Sequence, residues 1–291
     1  MPSHPAQVRL LAGHDAPGIE RLLRTSEYVY QRFLVEELPL LLKHSLSVGI
    51  FHDSSMYGFL LSQTVHPPCA WIGGFGVSWT ESRSYLDILD TLLAHLYSSL
   101  ITHGIRYLHY SGNNSDQDWL RDILLPHGFV PYCLLYSYDK FGYSIPSRGN
   151  QEVTIRPVNL VGAQSDMGSL LAIEEACFDD LWRYDAVTFA DIAATHPYFV
   201  VAELDGNVVG YQFNATDDEN GYLIRIAVHP SVEGQGIGTR FMAEAIDFFE
   251  QADVSRIMLN TEEKNTHAHR LYEWFGFVRL PHMGFVLRKY L

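Results

Sequence analysis

The sequence is short of cysteine, of positive charge and of any long apolar run. Its three cysteines, Cys69, Cys133 and Cys177, lie far apart without a C-x-x-C pair, which argues against a disulfide framework or a zinc site. Twenty Lys and Arg stand against 34 Asp and Glu, a net charge of −14, and the basic residues never cluster, so the electrostatic footprint of a nucleic-acid binder is missing. No apolar stretch reaches the roughly 18 residues that span a bilayer, and Met1-Pro2-Ser3-His4 lacks a charged-then-apolar signal pattern. These absences predict a soluble, cytoplasmic protein with neither nucleic-acid nor membrane partners, and they leave its oligomeric state open. Two catalytic signatures are missing as well, H-E-x-x-H and G-x-S-x-G. His267 and His269, two apart on a predicted helix, face different directions, and no metal is expected.

What is present is a globular composition rich in Tyr and Phe, long enough at 291 residues for two cores. An internal repeat supports two. Val8-Arg9-Leu10-Leu11 resembles Ile155-Arg156-Pro157-Val158, and His127-Gly128-Phe129-Val130 resembles Phe275-Gly276-Phe277-Val278 at nearly the same offset. Between these anchors each half reads as an early helical region, two β-rich runs, an apolar strand, a long amphipathic helix, a short strand and a last helix. Segment 140–152 collects Gly, Pro, Ser and Asn, so domains 1–147 and 148–291 are predicted.

In the second half the strands are expected near 198–204, 208–215, 222–228 and 256–260, with turns at Asp205-Gly206-Asn207 and Glu219-Asn220-Gly221. The helix after the third strand carries Phe241, Ala245, Phe248, Phe249 and Ala252 on one stripe. Its first-half counterpart carries Leu86, Leu89, Leu93, Leu96 and Leu100 and stops near Gly104. Both stripes are packing surfaces.

The chemistry begins between strand and helix, at Gly234-Gln235-Gly236-Ile237-Gly238-Thr239. Glycines let a backbone approach an anion closely, and N–H groups at a helix N-terminus favour phosphate. A P-loop requires a lysine after its last glycine, and a Rossmann fingerprint requires G-x-G-x-x-G early in the fold; neither spacing is present. On its own the loop is either a phosphate cradle or a flexible turn.

Val228-His229-Pro230, the loop, Asn265, Ala268, Leu271-Tyr272 and Gly276-Phe277 together resemble the signature of the GNAT superfamily of acyl-CoA N-acyltransferases. Ile173 to Phe178 with Trp182 is similar to the ribosomal-protein N-terminal acetyltransferase branch. The resemblance implies an α/β (α+β) fold of two GNAT-like domains, each a mixed, mostly antiparallel twisted sheet flanked by helices. It also implies acetyl-CoA as acyl donor. Backbone groups of Ile226, Ala227 and Val228 would hold the pantetheine arm, the loop 234–239 the pyrophosphate, and Asn265 the CoA arm. Tyr272 would donate a proton to the departing thiolate. Arg240, Lys264 and Arg270 are candidate cations for the remaining phosphates.

Two positions depart from that pattern. Glu233 stands where the family usually has Gln or Arg, an unfavourable charge beside a pyrophosphate. Asn260, five residues before Asn265, stands where the ribosomal-protein branch carries a glutamate, so the general base is unassigned. Glu174, Glu175, Glu262 and Glu263 read as surface charges, and a water chain is the simplest base. Arg225, on an apolar strand, reads either as a binder of acidic acceptors or as half of a structural ion pair. Phe178, Trp182, Arg225 and Asn260 form the candidate acceptor pocket. The first half has no glycine from Val77 to Tyr85 and has Leu124 where Tyr272 falls after a shift of 148, so it reads as a degenerate copy. The expected activity is acetyl transfer to a primary amine of a small molecule or peptide; the alternative is a catalytically weak acyl-CoA-binding regulatory protein.

Overall fold

A computed structural model describes residues 6–78, 85–113 and 118–291, with the side chains of 64–66 outside that description. The chain forms two compact units, one of residues 1–133 and 285–291, the other of 134–284. The linker-like composition had put the division at 147/148, inside the second unit. Strand pairing is the reason: residues 135–140 are bonded along 257–262, so this stretch packs with the second core although it precedes the linker.

In chain order, the first unit has β1 (Gln7–Leu10), α1 (Ala16–Thr25), β2 (Val29–Gln31), α2 (Leu38–His44), β3 (Val48–His52), β4 (Ser55–His66) and β5 (Cys69–Val77). It continues through α3 (Tyr85–Thr102), β6 (Tyr107–Asn113), α4 (Trp119–Leu124) and the start of β7 (Val130–Lys140). The second unit has β8 (Thr154–Pro157), α5 (Met167–Cys177), α6 (Ala186–Thr195), β9 (Tyr198–Leu204), β10 (Asn207–Thr216) and β11 (Asn220–Val228). After these come α7 (Ile237–Gln251), β12 (Arg256–Glu262), α8 (Thr266–Trp274) and β13 (Val278–Tyr290), whose last residues, from Phe285, belong to the first unit.

The second sheet is mostly antiparallel. β8, β9, β10 and β11 pair antiparallel in that order, β11 and β12 run parallel, and β12 pairs antiparallel with β7. The turn Asp205-Gly206 has φ of 51° and 77°, the two positive values that a tight two-residue hairpin requires. The turn expected at 219–221 falls slightly earlier: Asn220 and Gly221 already lie in β11, and the Asp217 carboxylate accepts the N–H groups of Glu219 and Asn220 to close the loop.

Alternation along β9 builds a core on each face. Phe199 and Val201 pack with Leu170 and Ile173 of α5 and Phe189 of α6, while Val200 and Ala202 pack with Ile237 and Phe241 of α7. In α7 the buried stripe includes Phe241, Ala245 and Phe249 as the periodicity predicts. In α3 it runs through Leu89, Leu93, Leu96 and Leu100, whereas Leu86 is exposed in the first turn.

The repeat read from sequence has structural counterparts. Arg9 grips Asp15 through two nitrogens at 2.7 and 2.8 Å, and Arg156 grips Asp166 at 2.8 Å through two. Asp118 caps α4 and Asn265 caps α8. Phe129 N–H donates to Leu124 O and Phe277 N–H to Tyr272 O, after glycines with φ of 82° and 80°. Leu124 therefore occupies the position of Tyr272. No helix among the described residues is long and apolar enough to cross a membrane.

Candidate active site

The site follows from an interruption in the second sheet. β11 and β12 are bonded only from Asn220/Arg256 to Tyr222/Met258 and then part. A bulge assists: opposite β10, Phe213 pairs with Arg225 and Asn214 with Leu223, leaving Ile224 as an extra residue that bends the strand. Beyond Tyr222, the edge of β11 facing β12 offers backbone groups without a strand partner, and such groups bind an extended ligand arm well.

Two cavities open at this parting. One, of about 770 Å³, is lined by Ile226, Ala227 and Val228, by Gly234, Gly236, Ile237, Gly238 and Thr239, and by Asn265 and Tyr272. The other, of about 500 Å³, is lined by Phe178, Trp182, Arg225, Asn260, Glu262 and Lys264 among others. Cys177, Phe178, Ile226, Asn265 and Tyr272 line both. The residues read as donor-binding thus gather in one cavity, except Gln235, whose carbonyl accepts from the Asn150 side chain at 3.0 Å. The four acceptor-pocket residues gather in the other.

Gly236 is the N-cap of α7 and lies in the left-handed region at φ 77°. A side chain there would meet Asn150, whose N–H donates to the Gly236 carbonyl. The first turn of α7 has no acidic residue, and its Ile237, Gly238 and Thr239 line the larger cavity at the positive dipole end of the helix. Glu233 turns its carboxylate to His267 Nδ1 at 2.6 Å, at the start of α8. Both residues are exposed, so the charge at the loop is paired and screened.

Tyr272 is buried, and burial, with Tyr138 nearby, pushes its phenol up to about 12. It remains a neutral O–H donor at any working pH. Tyr138 lies against it, with ring centroids 5.9 Å apart, and bonds His269 Nδ1 at 2.7 Å. His269 Nε2 lies 3.1 and 3.2 Å from the carbonyls of Glu262 and Glu263 and must donate to them, so Nδ1 accepts the Tyr138 hydroxyl in the neutral ring. This chain of bonds holds the end of β12. Cys177 lies at the junction, but burial, reinforced by Glu174, pushes its thiol up to about 11, and its Sγ donates to Val228 O. It is a poor nucleophile.

The structure corrects the reading of Glu174 as a surface charge. Glu174 is fully buried, and its oxygens take Arg225 Nη1 at 2.9 and 3.0 Å, the Tyr211 hydroxyl and the Tyr184 N–H at 2.6 Å. Of the two readings of Arg225, the ion pair is the one observed. Its guanidinium also donates to Trp182 O and stacks on Tyr184 and Phe178. Among the candidate phosphate cations, Arg240 is bonded to Glu244 and Gln151, Lys264 lines the smaller cavity, and Arg270 lines neither. Tyr138, His269 and Asn150 were not legible as site residues, because each acts through partners distant in sequence. Among the described residues no group of three His, Cys, Asp or Glu could hold a metal ion.

The parted parallel strands, the glycine loop at a helix N-terminus and the tyrosine at their junction thus form one continuous cleft. Residues 167–277 match the acetyltransferase (GNAT) family model, so the chain contains a GNAT acetyltransferase domain. An uncharacterized N-acetyltransferase of Methanocaldococcus jannaschii is 38% identical over 80 residues, 27% of this chain and about half (51%) of that protein. A putative ribosomal protein bS18-alanine N-acetyltransferase of Bacillus subtilis is 25% identical over 38% of this chain and 74% of its own. Over 98% of both chains, the fold is similar to that of a tandem GNAT protein from the clavulanic acid biosynthesis pathway, with a TM-score of 0.64 and 12% identity.

Proposed function

We propose that the second unit transfers an acetyl group from acetyl-CoA to a primary amine of a small molecule or peptide. The observation that carries this reading is the meeting of the two cavities at Tyr272. The larger presents free strand edge and orphan helix N–H groups to an extended, phosphate-bearing donor; the smaller admits an amine from the opposite side. Ile226 to Val228 hold the donor arm, residues 234–239 the pyrophosphate, and Asn265, with its Oδ1 on the Ala268 N–H, presents the rest of its amide to the cleft. The amine nitrogen attacks the thioester carbon, and Tyr272 gives its proton to the sulfur that leaves.

The binding-only alternative drew on Glu233, and its pairing with His267 weakens that argument. Release of CoA thiol is the test, with acetyl-CoA and a panel of diamines, aminoglycosides, amino-acid amides and short peptides. Turnover is expected with at least one member, and Tyr272→Phe should lower its kcat about 10²-fold. Acetyl-CoA binding without turnover on any acceptor would favour the alternative, and an unchanged kcat with chemistry limiting would remove Tyr272 from its role.

A further inference from the structure

Resting on that reading, we infer that Glu262 is the general base, displaced by one pleat from the position where the strand carries Asn260. Residues 260 and 262 are i and i+2 on β12, so their side chains leave the strand on the same side. Both line the smaller cavity together with Tyr272. A carboxylate absent at 260 is thus restored about 7 Å further along the same wall.

The side chain of Glu262 is held for the task. Its Oε1 accepts the indole N–H of Trp182, and its own backbone carbonyl is held by His269 Nε2 at 3.1 Å. Its Oε2 has no partner among the described residues. Of the other carboxylates near this wall, Glu174 is consumed by Arg225, Tyr211 and the Tyr184 N–H and has no exposed surface from which to take a proton, and Asp179, which also lines the cavity, is engaged in its own turn, its Oδ1 accepting the Leu181 N–H at 3.0 Å. Arg225, neutralised by that pair, does not repel a cationic amine from Glu262.

The protons balance as follows. Glu262 takes one proton from the acceptor ammonium, directly or through one water. The neutral nitrogen forms the bond to the acetyl carbon as the C–S bond breaks. Tyr272 protonates the sulfur, the second proton shed by nitrogen returns to the phenol through solvent, and Glu262 releases its own to water.

The test uses the full chain and the acceptor found in the CoA-release panel. Glu262→Gln keeps an oxygen for Trp182 and should lower kcat about 10²-fold while acetyl-CoA affinity, measured by calorimetry, stays unchanged. Adding Asn260→Glu to that variant should recover at least a tenth of the lost rate. An unchanged kcat in Glu262→Gln, or a double variant no faster than the single one, overturns the assignment. Loss of acetyl-CoA binding in Glu262→Gln also overturns it, because that outcome marks a structural role. If the native protein turns over no acceptor, the acetyltransferase reading itself fails; turnover with an indifferent Glu262 defeats this assignment alone.

Discussion

The two units share a scaffold and differ in what they do with its one gap. In each, the parallel strand pair is bonded over three residues and then parts: Cys69 to Trp71 along Tyr107 to His109 in the first, Asn220 to Tyr222 along Arg256 to Met258 in the second. In each, a bulge precedes the freed edge, at Gly73 or at Ile224. The second unit leaves that edge open to a cavity. The first closes it with its own chain, because β2 pairs with Gly74, Phe75 and Gly76, which correspond to the edge at Arg225, Ile226 and Ala227. Gly74 permits this closeness: a Cβ there would lie 2.7 Å from the Phe33 ring and 3.4 Å from the Tyr30 carbonyl of β2. The first unit therefore differs from the second by more than its lack of a glycine loop and of the tyrosine. Its parted edge is covered by β2, where the second unit has an open cavity. The glycine-free stretch Trp79–Ser84 lies outside the described residues.

The sharpest way to break this comparison is to remove the tail strand from the first unit. Phe285, Val286 and Leu287 are buried, and Arg288 Nε donates to the buried His109 at 2.8 Å. Three such apolar side chains are each worth about 1.5–3 kcal/mol, so truncation after Gly284 should strip residues 6–133 of amide-exchange protection. Protection retained there would show that this unit stands without the tail.

Next in size is the buried Arg225–Glu174 pair of the second unit, where the first carries Gly74 in place of Arg225. Glu174→Ala leaves a buried guanidinium uncompensated and should cost about 3–5 kcal/mol, read by urea denaturation. A loss below about 1 kcal/mol would mean that solvent reaches Arg225. A smaller effect is expected from Gly236→Ala. Alanine at φ 77° is strained by roughly 1–2 kcal/mol, and relief of that strain by a shift of the loop backbone should lower acetyl-CoA affinity about tenfold by calorimetry. Equal affinity would reject the cradle.

The smallest effect tests what the units have in common. Arg156 holds Asp166 below the usual carboxylate range; for Asp15, burial pushes upward, but Arg9 and the Ala12 N–H outweigh it and the net direction is also downward. A depressed folded pKa adds stability above the unfolded value near 3.9 and loses it as pH falls through the folded value. Both units should weaken below about pH 4, and Arg9→Met or Arg156→Met should flatten that slope in thermal melts. A slope unchanged in both variants would assign acid sensitivity elsewhere.

Much of this was legible in order along the chain. The strands of the second half, the glycine loop, the turn at Asp205-Gly206, and the match of Leu124 to Tyr272 come from periodicity, turn chemistry and repeat offset, which are local properties. The four residues read as an acceptor pocket do line one cavity. What escaped was pairing at a distance. Composition marked 140–152 as a linker, yet Gly149 and Asn150 pack on the loop 85 residues later, and Tyr138, before that linker, supports Tyr272. Glu174 looked like a surface charge because its partners, Tyr211 and Arg225, lie 37 and 51 residues on.

The sequence by itself determined the elements, the repeat and the glycine loop, since each depends on residues within a turn or two of one another. Only the tertiary structure decided which carboxylate is buried and which faces the cleft, which stretch of chain belongs to which core, and which gap is open. Those outcomes depend on the partners that strands and side chains find across the sheet, and residue order carries no local mark of them.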